Sequence, residues 1–119
     1  MYVILLRFAE NRDRAKAHLQ AHKAWLKQGF DDGVFLLAGS LRPDLGGAIL
    51  AGDIPRPQIE ARVAADPFVA EAVVSAEILD LAPAMAAPAL AALLPAQDTA
   101  PTSAPTSAPA SGPAGGTAP

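Results

Sequence analysis

The chain contains no cysteine. That excludes a disulfide scaffold, a thiolate zinc site and a cysteine nucleophile. It also lacks a concentrated charge: the formal net charge is −3 and the basic residues are scattered. A nucleic-acid footprint needs a clustered basic stripe, so no nucleic-acid partner is expected, nor any attraction to an anionic membrane. No stretch reaches the roughly 18–20 consecutive apolar residues that span a bilayer. The opening "MYVILLRFAENRDR" is apolar only briefly and then turns charged, whereas a secretory leader carries its positive charge first. The expectation is a soluble cytoplasmic protein. At 119 residues, the chain suits one small domain rather than two.

What is present divides near Pro83. Every charged residue except Asp98 precedes it. The end, "TAPTSAPTSAPASGPAGGTAP", has no large apolar side chains whose burial would offset its ordering entropy. Residues 97–119 are therefore expected to be a disordered Pro/Ala/Thr/Ser-rich tail. Residues 83–96 read as an apolar Ala/Pro linker or a short helix carrying Leu90, Leu93 and Leu94, with prolines bounding it.

Residues 1–82 are expected to fold. "YVILLRF" (2–8) is a strand by its β-branched and apolar content. Helical periodicity runs from about Arg12 to Phe30, and "DDG" at 31–33 breaks it. "VFLLAG" (34–39) is a second strand, "SLRPDLG" (40–46) a loop and "GAILAG" (47–52) a third strand. Ile59 and Val63 stand at helical spacing in 55–65, "DPFVAEA" begins another helical turn, and "VVSAEILDL" (73–81) is a last strand. The order β-α-β-β-α-β is that of the α+β, ferredoxin-like fold: an antiparallel sheet with both helices on one face. In the first strand Tyr2, Ile4, Leu6 and Phe8 point one way, and Val3, Leu5 and Arg7 the other. Both faces are largely apolar, and helices cover only one. A homodimer through the second face is expected; a monomer whose greasy face is covered by residues 83–97 is the other solution.

The only histidines, His18 and His22, stand four apart on the first helix. At about 100° per residue, Ala15, Leu19, Leu26 and Phe30 form one stripe. His22 falls inside it, and His18 lies on its shoulder toward Trp25. A histidine in an apolar stripe needs partners for its ring nitrogens. It is either a core residue satisfied by backbone or a general acid/base whose proton transfer operates near neutral pH. The pair has helical metal spacing but no third ligand, and Leu19 stands where the zinc-protease motif has Glu. No metal and no cofactor are expected.

"ADPF" (65–68) places Asp66 as a helix N-cap, with Pro67 at the first helical position. Asp66 would accept an N–H from Phe68 or Val69, and its second oxygen could hold a histidine nitrogen. Arg42, in the loop after Ser40, is either a solvated side chain or a planar fork for a substrate carboxylate. Ser40 suits a hydrogen bond to a ligand better than nucleophilic attack, because no oxyanion loop is evident. Arg7 facing an interface would need an acid or a ligand as partner; an edge or rim position is the other account. Trp25 reads as packing, and "GG" at 46–47 as a turn without a phosphate-loop pattern.

"HKAWLKQGFDDGVFLLAGS" (22–40), followed by "ADPF" (65–68) and a closing strand, resembles the YciI-like (YCII-related) family over residues 1–82. The resemblance implies a ferredoxin-like homodimer of the dimeric α/β-barrel kind. It also implies a site built on His22 and Asp66, with Ser40 nearby, and a scaffold able to support proton-transfer elimination. His18 has no standing in that pattern. The expected function is a cofactor-free lyase or isomerase reaction on a small cyclic or carboxylated metabolite. His22 and Asp66 would be catalytic, and Ser40 and Arg42 ligand-binding. The alternative is a dimeric module that binds a ligand in the same pocket without turning it over.

Overall fold

The alternation of Tyr2, Ile4 and Leu6 with Val3 and Leu5 makes β1 (Tyr2–Phe8) an interior strand, buried on one face and half-buried on the other. The computed structural model describes residues 1–94; the proposed tail at 97–119 lies outside the described residues. β3 (Gly46–Ala51) and β4 (Val74–Asp80) pair antiparallel on either side of β1, and β2 (Phe35–Leu41) pairs with β3. The sheet order is β2-β3-β1-β4. α1 (Ala15–Asp31), entered through a 3-10 turn at Arg12–Arg14, joins β1 to β2. α2 (Arg56–Ala64) and α3 (Pro67–Ala70) join β3 to β4. The chain has the ferredoxin-like α+β fold.

Two segments differ from expectation. Ser40 and Leu41 are strand residues, not loop, because they complete the ladder opposite Gly47 and Gly46. Gly46 and Gly47 accordingly belong to β3 rather than to a turn, and the connection shrinks to residues 42–45. Sequence patterning misses this because glycine and proline dominate the stretch.

α1 ends as "DDG" foretells. Gly33 takes φ +75°, donates its N–H to the Phe30 carbonyl, and is followed by Val34 donating to the Gly29 carbonyl. These two bonds form a Schellman closure, which favours glycine at the left-handed position. Gln28 and Arg62 hydrogen-bond Asp32 beside this end of the helix and hold its carboxyl below the ordinary value.

The buried stripe of α1 is rotated from the expected one. Leu19 and Phe30 are exposed, whereas Trp25 and Leu26 pack against the core and Gly29 is buried. A side chain at Gly29 would collide with the Phe35 ring, so the missing Cβ lets the helix settle on its Trp25–Gly29 side. Trp25 meets the Phe35 ring edge-on at 5.0 Å, and its indole N–H donates to the Arg62 carbonyl at 2.9 Å.

The core lies between the helices and one sheet face. Tyr2, Ile4, Leu6 and Ile49 from the sheet meet Ile59, Val63 and Phe68 from α2 and α3. Burying each such aliphatic or aromatic side chain contributes about 1.5–3 kcal/mol. On the opposite face the register sets Leu37 against Leu50, Leu50 against Val3, and Val3 against Leu79. This apolar row crosses all four strands, with Leu37 61% and Leu79 43% exposed. Arg7 shares the face and pairs with Glu77 at 3.2 Å, the acid partner that such an arginine needs.

Met1–Leu81 forms one compact unit, and Ala82 begins a second. In the second unit Pro88–Leu93 is a 3-10 helix, and Met85 and Leu90 are exposed. No helix among the described residues is long and apolar enough to cross a membrane.

Candidate active site

The residue before a proline is pushed to extended backbone, and an N-cap needs extended backbone. Asp66 satisfies both at φ −62° and ψ 124°, with Pro67 opening α3. Its Oδ1 accepts the Phe68 N–H at 2.9 Å. The same oxygen meets His22 Nδ1 at 2.7 Å across 44 residues of sequence. Asp66 is fully buried, and Oδ2 has no hydrogen-bond partner among the described residues. The carboxylate thus directs its hydrogen-bonded oxygen at the imidazole and the cap together.

This geometry assigns the histidine tautomer. A carboxylate only accepts, so Nδ1–H donates and Nε2 carries the lone pair when the ring is neutral. Phe68 completes the clamp: its ring stacks on the imidazole with centroids 4.0 Å apart and planes 5° from parallel. One Asp-Pro-Phe segment therefore supplies the carboxylate, the cap N–H and the stacking face. The side chain of His22 is only 12% exposed, and its ring lines a cavity of about 330 Å³. That volume is at the small end of the roughly 300–1,000 Å³ range for small-molecule sites and suits a single-ring ligand.

Among the described residues, His22 and Ser40 are the only polar side chains lining this cavity. Ser40 projects from β2 at its pairing with Gly47. The floor is small, with Ala38, Gly39, Gly46 and Gly47, and Phe8 and Phe68 add aromatic walls. Leu19 and Leu26 also line it. α1 thus gives the cavity a wall that runs from the exposed Leu19 to Leu26 at the edge of the core.

Arg42 is not among the residues that line the cavity. β2 runs on through Leu41, so Arg42 falls in the turn beyond the sheet and is exposed. His18 is half-buried on α1, and the described residues contain no group of three or more His, Cys, Asp or Glu side chains fit to hold a metal ion. Sequence reasoning missed Phe8, the glycine floor and the stacking role of Phe68. Phe68 had a visible signal, its place directly after the Asp-Pro cap. Phe8 and the glycines had none without the strand register.

No family model matches the chain, and no curated protein does. Among solved structures it is similar to 5-chloro-2-hydroxyhydroquinone dehydrochlorinase (TftG) from Burkholderia phenoliruptrix AC1100, in complex with 2,5-dihydroxybenzoquinone. The match has a TM-score of 0.53 and 15% identity, over 68% of this chain and 93% of that chain. The two share a fold. At that identity the likeness carries the architecture, and the chemistry must be argued from the cavity itself.

Proposed function

We propose that the chain is a YciI-like (YCII-related) enzyme of the lyase or isomerase type. In this reading His22 Nε2 takes or gives a proton, and Asp66 orients the ring and supports its positive charge. The 2.7 Å contact between His22 Nδ1 and the buried Asp66 carboxylate, at the wall of a ring-sized cavity, carries the reading. Ser40 is the hydrogen-bonding partner for a ligand oxygen. The substrate class is a small cyclic metabolite bearing hydroxyl or carboxylate groups. The hydroxylated quinone held by the TftG structure supports this choice, as do the aromatic walls. Proton transfer by the His–Asp pair needs no cofactor.

The test is turnover of a panel of hydroxylated and carboxylated ring compounds. His22→Gln should lower kcat by about 10²–10⁴ while circular dichroism stays close to the parent; unfolding should come somewhat earlier, because the bond to the buried Asp66 is lost. Undiminished turnover in that variant removes His22 from the chemistry. If a panel compound moves the His22 ring resonances in NMR yet is not consumed, the protein is a binding module using the same cavity.

The apolar row Leu37–Leu50–Val3–Leu79 supports a homodimer through the outer sheet face. Leu37→Glu combined with Leu79→Glu should halve the mass measured by sedimentation. An unchanged mass sinks the face-to-face dimer.

A further inference from the structure

A ring ligand bearing a negatively charged oxygen meets no Lys or Arg among the described residues of the cavity lining, whose polar side chains are His22 and Ser40. Arg12 is outside the lining but stands against one of its wall residues. Its guanidinium carbon lies 4.1 Å from the centroid of the Phe8 ring, and Phe8 is itself a wall residue. The same guanidinium is ion-paired with Asp44. Arg12 sits in the 3-10 turn that leads into α1, and Asp44 in the turn between β2 and β3. Both adjoining elements line the cavity, through Leu19 and His22 on one side and Ser40 and Gly46 on the other. The ion pair therefore links two walls of one cavity at the same end of the sheet. Asp44 is held there by the turn, at φ 59°, and its side chain is 75% exposed.

We propose that Arg12 is the anion-recognition residue of this cavity and that Asp44 is its resting counterion. A ligand with an anionic oxygen on its ring, a phenolate, enolate or carboxylate, takes the place of Asp44 on the guanidinium. The proposal rests on the cavity being the ligand site, as argued above. Two physical facts favour the exchange. An exposed ion pair is weak, so losing it costs little. The planar guanidinium, already stacked on Phe8, offers a ligand oxygen a paired set of N–H donors with its rotamer partly fixed.

The probes are 2,5-dihydroxybenzoquinone, an anion at neutral pH, and 1,4-dihydroxybenzene, a neutral ring of similar size. Each is titrated calorimetrically into the full chain, Arg12→Gln and Asp44→Asn at low ionic strength. Arg12→Gln should weaken the anionic probe about 10-fold or more and leave the neutral probe within about 2-fold. Asp44→Asn, which removes the competitor, should tighten the anionic probe several-fold, with the gain fading as salt is added. If both probes bind the parent and Arg12→Gln affects them equally or not at all, the Arg12 assignment falls while the cavity reading stands. If neither probe binds the parent, the assignment falls together with the cavity reading.

Discussion

Asp66→Ala is expected to lower the unfolding free energy by about 2–4 kcal/mol. Loss of a helix N-cap costs about 0.5–2 kcal/mol. Stranding the Nδ1–H of a mostly buried histidine costs about 1–3 kcal/mol more. Both losses follow from one oxygen, because Oδ1 accepts from Phe68 N–H and from His22 together. Urea unfolding of the two proteins measures the difference, and a change below about 0.5 kcal/mol would contradict this account. Asp66→Asn separates structure from chemistry. Its amide oxygen keeps the cap, so most of the stability should survive. The charge that supports a protonated His22 is gone, so turnover should drop by about 10²–10⁴. A fully active Asn variant would reduce Asp66 to a cap.

Gly46→Ala is expected to cost more than about 3 kcal/mol, a large share of the stability of a small domain. Gly46 has φ +131°, and a Cβ there would lie 1.9 Å from the backbone oxygen of Leu6. The obstacle is main chain in the neighbouring central strand, so no rotamer change relieves it. The control is Gly39→Ala on the same cavity floor. A Cβ at Gly39 meets nothing within 4 Å, so stability should change by less than about 1 kcal/mol. Equal losses in the two variants would show that the contact with Leu6 does not decide the outcome.

The strand-and-helix order was legible because periodicity changes cleanly from two in β1 to helical in α1, with "DDG" marking the helix end. The Asp66 cap was legible because Asp-Pro restricts both residues at once. His22 was legible as a polar residue in an apolar stripe, but its pairing with Asp66 rested also on family resemblance, since no local rule links residues 44 apart. The rotation of α1 was not legible: it depends on Gly29 meeting the Phe35 ring, a contact between elements. Arg42 was the candidate cation because it stands two residues after Ser40 in the sequence. The extra strand residues carry Arg42 past the sheet end instead, while the approach to α1 places Arg12 against Phe8.

The sequence alone determined the class of fold, the absence of thiol chemistry, and which polar residues had to find partners inside. These follow from composition, periodicity and local backbone preference, which act over a few residues. Only the tertiary structure decided that His22, Ser40, Phe8 and the glycine strand share one cavity, and that Arg12 and Asp44 bridge its walls. Those juxtapositions depend on strand register and helix rotation. Packing and hydrogen bonding between distant segments set both, and a shift of one residue in the register would move each side chain to the other face of the sheet.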